Sequence, residues 1–152
     1  MFKGSGQKVA DVMTSNPECV TESDSIRQVA RLMVECNCGA LPVIQSEGNK
    51  RVIGMITDRD IVVRVIAEGK SVEGATVADA MSRGVHTVKT DQALDSVYKI
   101  MAEEQIRRIP VVDQDDRIIG IVSVADVATE DSQDRKLAKT MEDISEGERS
   151  RR

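Results

Sequence analysis

Two stretches of this 152-residue chain share a pattern with chemical content. Gly54-Met55-Ile56-Thr57-Asp58-Arg59-Asp60 is matched by Gly120-Ile121-Val122-Ser123-Val124-Ala125-Asp126: a glycine, two apolar residues, a hydroxyl residue, two of any type, then Asp. Glycine near a strand end lets another group approach the backbone closely, and a hydroxyl residue suits the point where a helix begins. A helix start offers unbonded N–H groups and the positive end of a dipole, which favour a phosphate. An Asp three residues on can accept hydrogen bonds from the two hydroxyls of a ribose. The same pairs, Thr57 with Asp60 and Ser123 with Asp126, also read as a capping box with Asp in place of Glu. Capping and ligand binding do not exclude each other, but only the second implies a ligand.

Other chemistry is scarce. A single His excludes His-pair metal sites, and His86 has no acidic or cysteine partner at motif spacing, so it reads as an edge residue. Cys19, Cys36 and Cys38 cannot all pair, match neither a CxxC redox site nor a zinc knuckle, and read as reduced, mostly buried thiols. No Ser/His/Asp or Cys/His constellation is present, so no catalytic residue and no metal site is assigned and the chain is not expected to be an enzyme. With 26 acids against 21 bases the net charge is −5, which argues against bulk nucleic-acid binding while leaving room for a local basic pocket. One Tyr, one Phe and no Trp leave no stacking platform for single strands. No apolar run approaches the roughly eighteen residues of a membrane span, and the first eight residues lack a signal core; the expectation is a cytoplasmic protein with no membrane partner.

The elements that position the two motifs emerge when the sequence is slid along itself. Val9-Ala10-Asp11-Val12-Met13 returns as Val77-Ala78-Asp79-Ala80-Met81, and the register continues through Val20/Val88, Val29/Val97, Met33/Met101 and Pro42-Val43/Pro110-Val111. After a two-residue contraction it resumes at Ile53-Gly54/Ile119-Gly120 and Asp60/Asp126. Two copies of one unit follow, residues 9–69 and 77–130, joined by a connection around 69–74. Ile26, Val29, Ala30 and Met33, and Leu94, Val97, Tyr98 and Met101, fall at helical spacing, with capping chemistry expected from Thr21 to Asp24 and from Asp91. Two short β-branched runs follow in each copy, Leu41–Ile44 with Val52–Ile56 and Ile109–Val112 with Ile118–Val122, which predict a hairpin with its proline at a strand start or edge. A second helix is expected over 58–68 and 124–130, and a short leading strand near Val20 and Val88. The fold class is therefore α+β, two β-α-β-β-α repeats. Neither is long enough to bury both faces of its sheet alone, which predicts pseudo-two-fold packing with two related clefts between the copies. Residues 131–152 are highly charged, but Leu137, Met141 and Ile144 keep i, i+4, i+7 spacing and predict a C-terminal helix fraying into a tail.

The doubled motifs, together with the Ala40-Leu41-Pro42-Val43 and Arg108-Ile109-Pro110-Val111 strands, resemble a tandem pair of CBS domains, a Bateman module, over about residues 9–130. The resemblance implies a regulatory module without catalysis, often a homodimer. Its clefts take adenosine-containing ligands such as AMP, ADP, ATP or S-adenosylmethionine as ligands, not as required cofactors, and a regulated protein partner is implied. In the cleft of the second motif the resemblance sets Ser123, Arg107 and Arg108 on phosphate and Asp126 on ribose beside Gly120, with Thr14, Pro17, Cys38, Gly39 and Ala40 flanking the base. In the cleft of the first motif it assigns Thr57 and Asp60 the polar roles, with Ser82, Val85, Ile106 and Arg107 opposite. The copies differ here: Arg107-Arg108 are matched by Gly39-Ala40, which carry no charge, so the second cleft is expected to be the better phosphate site unless Arg59 or Arg83 substitutes. The plainer reading of Arg107-Arg108 is a solvated pair at a strand start. The rival function is a ligand-free dimerisation or protein-interaction module.

Overall fold

The computed structural model describes residues 6–127 and 140–147, with Asp126 and Val127 described in backbone only. In chain order the elements are α1 (Val9–Val12), β1 (Thr14–Ser15), β2 (Val20–Thr21), α2 (Ile26–Cys36), β3 (Ala40–Ile44), β4 (Val52–Thr57) and α3 (Asp58–Ile61), which runs into a π-helical turn at Val62–Ile66. A 3₁₀ turn at Val72–Gly74 leads to α4 (Val77–Ala80) and β5 (Ser82–Arg83), then α5 (Leu94–Glu104), β6 (Arg108–Val112), β7 (Ile118–Ser123) and α6 (Val124–Val127). Residues 140–147 form a last helix, α7. No helix among the described residues is long and apolar enough to cross a membrane.

The chain folds as two compact units that cut the sequence differently from its repeats. One comprises Asn16–Val85 and Asp115–Ile118, and the other holds the described residues of 1–15, 86–114 and 119–152. They are called here the repeat-one and repeat-two units, after the repeat that supplies most of each. The short leading elements change places: β1, from repeat one, pairs antiparallel with β7 through Thr14↔Ile121 and Ser15↔Gly120. In the mirror arrangement β5, from repeat two, pairs with β4 through Gly54↔Arg83 and Met55↔Ser82. The sheets are therefore β2-β3-β4-β5 and β1-β7-β6, with Val88 adding a single parallel bridge to Val111. The two cores record the same exchange. Val9 of α1 is fully buried among Val97, Met101, Ile109 and Val122, whereas Val77 and Ala80 of α4 are buried among Val29, Val43 and Ile56.

Local chemistry explains most boundaries. Ile26, Val29 and Met33 bury one face of α2, while Ala30, expected on that face, is exposed because its position points away from the sheet. α2 is capped by Ser25, whose hydroxyl accepts from the Gln28 N–H while Gln28 reaches back to the Ser25 N–H. The expected caps, Thr21 to Asp24 and Asp91, stand before the N-cap positions, which are Ser25 and Ala93. Asp24 instead closes a turn by accepting from the Thr21 N–H, and the N-cap of α5 is Ala93, which offers no side-chain cap. Both long helices end on a left-handed residue, Asn37 (φ 50) and Gln105 (φ 58), whose N–H returns to a helix carbonyl. Pro42 lies in the middle of β3, an inner strand, not at a strand start or edge, whereas Pro110, also mid-strand, is on β6, the edge strand of its sheet as expected. At Pro110 the side where its N–H would point is the side facing the bridge at Val88, and pairing there begins only with the Pro110 carbonyl, so no ladder bond is lost. The second helix of repeat one runs to Ile66 and the chain turns at Gly69 (φ 74); in repeat two only Val124–Val127 of the expected 124–130 helix is described. Leu137 lies outside the described residues.

Candidate functional site

The motif glycines turn out to serve the exchanged strands. A Cβ on Gly54 would fall 2.3 Å from the Ser82 carbonyl oxygen, and one on Gly120 would fall 2.7 Å from Met13 Sδ and 3.1 Å from the Thr14 carbonyl oxygen. The group that approaches the backbone is thus β5 or β1. This close pairing sets Ser82 beside Met55 in one sheet and Thr14 beside Ile121 in the other, next to the ends of β4 and β7 that carry Thr57 and Ser123.

In the repeat-one unit the structure brings Gly39, Ala40, Thr57, Asp60 and Ser82 onto one sheet and its following helix, with Pro17, Cys38 and Val85 in the same unit. Ala40 is the register partner of Thr57, and the Asp58 N–H donates to the Gly39 carbonyl at 2.9 Å. Thr57 and Asp60 do form the reciprocal capping box: the Asp60 N–H donates to Thr57 Oγ1 and the Thr57 N–H to Asp60 Oδ2, each at 3.0 Å. Asp58 adds a feature that motif reading passed over. Its carboxylate sits against Gly39, with Oδ2 2.9 Å from where a Cβ would stand, and Oδ1 accepts from the Arg59 N–H at 2.8 Å. Of the two arginines that could compensate for the uncharged Gly39-Ala40, Arg83 is held in an ion pair with Glu22, while Arg59 is exposed. Ile106 belongs to the repeat-two unit.

The repeat-two unit holds Thr14, Ile106, Arg107, Arg108, Gly120, Ser123 and the backbone of Asp126, whose side chain lies outside the described residues. A cavity of about 390 Å³ opens here, lined by Arg107, Arg108, Ser123, Val124 and Ala125 together with Met141, Ile144 and Ser145 of α7. The Val124 N–H donates to the Arg107 carbonyl at 2.9 Å, which ties the arginine-bearing segment to the start of α6. Arg107 is exposed and Arg108 half-buried. Two guanidiniums, two hydroxyls and an apolar wall suit a ligand with an anionic end and an apolar body. The α7 residues were missed as site residues; the only signal for them was the i, i+4, i+7 pattern, which predicts a buried face but not what the face meets.

None of the remaining titratable candidates is among the described residues that line this cavity. His86 Nε2 stands 3.3 Å from Glu104 Oε2, an acidic partner eighteen positions away that motif spacing cannot reveal; both side chains are about half exposed, so the pair is a surface contact. The thiols are all free, but they are not mostly buried: Cys36 is exposed and Cys19 and Cys38 are intermediate. Cys36 is the last residue of α2, where the helix leaves the core. Burial pushes the Cys19 thiol up to about 11, and its Sγ–H donates to the Pro17 carbonyl, which leaves it a neutral, unreactive group at ordinary pH. Among the described residues no group of three or more His, Cys, Asp or Glu is arranged to hold a metal ion.

Comparison with known proteins shows the family. The family model described as "CBS domain" matches twice, at residues 9–67 and 77–132. A crystal structure of Hypoxic Response Protein I with two coordinated zinc ions is 32% identical and aligns with a TM-score of 0.74, covering 82% of this chain and 98% of that one. The CBS domain pair of protein MJ0100 in complex with 5′-methylthioadenosine and S-adenosyl-L-methionine is 28% identical with a TM-score of 0.71, covering 81% of this chain and 98% of that one. CBSX2, known from Arabidopsis thaliana, in complex with AMP is 28% identical with a TM-score of 0.71, covering 82% of this chain and 95% of that one.

Proposed function

Because this chain belongs to the CBS domain family, as a tandem pair, we propose that it is a regulatory ligand-sensing module that binds an adenosine-containing nucleotide, of the AMP, ADP or ATP type, in the arginine-lined cavity of the repeat-two unit. The observation that carries the reading is the convergence of Arg107, Arg108 and Ser123 on one cavity of about 390 Å³ whose other described lining residues, Ser145 apart, are apolar. That volume falls in the range of small-ligand sites. The guanidiniums supply charge-assisted hydrogen bonds to phosphate oxygens, and the apolar lining, of which Ala125 is exposed, supplies contact for the nucleoside. AMP on CBSX2 and S-adenosyl-L-methionine on the MJ0100 pair favour the adenosine class. The nucleotide acts here as a ligand and not as a resident cofactor, and it regulates by binding two arrangements of the module with different affinity. Thermal melting with AMP, ADP, ATP and S-adenosylmethionine tests the reading. A ligand at about a hundredfold over its dissociation constant adds roughly 2.7 kcal/mol, a rise of roughly 5–10 °C for a chain of this size. No rise with any of the four at millimolar concentration overturns it.

A second reading, a module whose work is self-association or partner docking, draws support from the repeat-one unit. Val34 on α2 is 82% exposed, and Val62, Val63 and Ile66 on the π-helical turn are about half exposed. Sedimentation of the protein with and without nucleotide separates the readings: a homodimer indifferent to every nucleotide favours docking alone.

A further inference from the structure

The cavity has a wall that belongs to neither repeat. Residues 9–69 and 77–130 account for both copies of the motif, yet three of the eight described lining residues, Met141, Ile144 and Ser145, come from α7. Their i, i+3, i+4 spacing puts them on one helical face. Ile144 is 1% exposed and joins the core of the repeat-two unit with Leu94, Val97, Tyr98 and Met101, so α7 is seated by its own apolar contact. A second fixed point lies at the end of the helix. A Cβ on Gly147 would fall 2.1 Å from Gln105 Oε1, so glycine lets α7 lie against the left-handed residue that ends α5, two positions before Arg107. Met141, by contrast, is 52% exposed although it lines the cavity. An unbranched thioether left half open at the edge of a site, in a chain with no Trp and only one Tyr and one Phe, is a suitable surface for the flat face of a base.

We propose that α7 is a ligand-contacting wall of the nucleotide site, with Met141 on the base or ribose and Ser145 beside it, so that ligand binding and the docking of α7 are coupled. The inference rests on the nucleotide reading above and extends it. Repeat one is followed by the connection through Val72–Gly74 and not by an equivalent of α7, so the coupling belongs to one motif alone. A ligand that touches both the arginine segment and α7 binds the docked arrangement better than an undocked one and must stabilise it by the same factor. The C-terminal segment then becomes the element through which occupancy is read out.

The full-length protein with AMP as probe tests this in two ways. Hydrogen exchange at the amides of residues 140–147 is expected to slow when AMP saturates the protein, and less so with adenosine, which lacks the phosphate. Met141→Glu sets a carboxylate at the edge of the Arg107-Arg108 cavity. It is expected to weaken AMP binding by roughly tenfold or more while leaving the ligand-free melting temperature nearly unchanged, and Met141→Leu is expected to keep most of the affinity. If AMP raises the melting temperature of the unaltered protein but exchange over 140–147 is unmoved and Met141→Glu binds equally well, this inference is overturned and the nucleotide reading stands. If AMP does not bind the unaltered protein at all, both fall together.

Discussion

The two motif sites share a backbone plan and differ in charge. In the repeat-two unit the positions are Arg107, Arg108, Ser123, Val124 and Ala125; their repeat-one counterparts are Gly39, Ala40, Thr57, Asp58 and Arg59. Strand register, the crossing short strand and the glycine beneath it are common to both. One site therefore presents two guanidiniums to its cavity, whereas the other lays the Asp58 carboxylate against Gly39. A unit charge about 4 Å from another contributes about 4 kcal/mol at an effective dielectric of about 20, so the sign of the lining charge outweighs any small difference in shape. The lesson is that duplication copied the frame, while a handful of side chains made its charge one-sided.

The largest expected effect comes from removing that asymmetry. Arg107→Ala with Arg108→Ala should weaken nucleotide binding by about a hundredfold or more, since hydrogen bonds to charged groups contribute about 1.5–3 kcal/mol each. Titration calorimetry reads this directly, and retained affinity would move the site elsewhere. Next come the crossing strands. Gly54→Ala drives a methyl into the backbone carbonyl of Ser82 and should cost roughly 3 kcal/mol in urea unfolding. Gly120→Ala should cost less, roughly 1 kcal/mol, because the tightest contact is the flexible Met13 thioether and the Thr14 carbonyl stands farther off. Equal losses would show that the two crossings are more alike than their distances indicate. A smaller change is expected at the caps: Thr57→Ala should lose about 1 kcal/mol whether or not nucleotide is present, because its hydroxyl is committed to the Asp60 N–H. A nucleotide-dependent loss at Thr57 would instead give the first motif a binding role. Smallest in energy is a labelling contrast within the repeat-one unit. At pH 8 iodoacetamide should modify exposed Cys36 first and Cys19 last, with the Cys19 rate climbing as pH approaches about 11. Rapid Cys19 labelling at pH 8 would contradict its burial.

Much of this was legible in the residues. The helical faces of α2 and α5, the β3/β4 and β6/β7 pairs and the Thr57–Asp60 box follow from periodicity and turn chemistry, which act over a few neighbouring positions. Arg107 and Arg108 could be singled out because the repeat supplies its own control at Gly39 and Ala40. The misses have physical causes. Thr21 to Asp24 and Asp91 carry the right residue types for caps, but Ser25 with Gln28 forms the box nearest the first buried residue of α2 and so governs its start. Ala30 is apolar yet faces solvent, since a methyl group gains too little from burial to turn a helix. His86 meets Glu104 only because the chain folds back across α5.

What the sequence by itself determined is the duplicated frame and the side chains hung on it, because both rest on local pattern and on comparison of one copy with the other. Which sheet each short strand joins was left to the tertiary structure. Val9-Ala10-Asp11-Val12-Met13 and Val77-Ala78-Asp79-Ala80-Met81 are so alike that either could pair locally, and the exchange is settled by which core takes in Val9 and which takes in Val77. The seat of α7 is of the same kind. Its pattern requires that one apolar face be covered, and only the folded chain, with Ile144 in the core and Gly147 against Gln105, brings that face to the arginine-lined cavity.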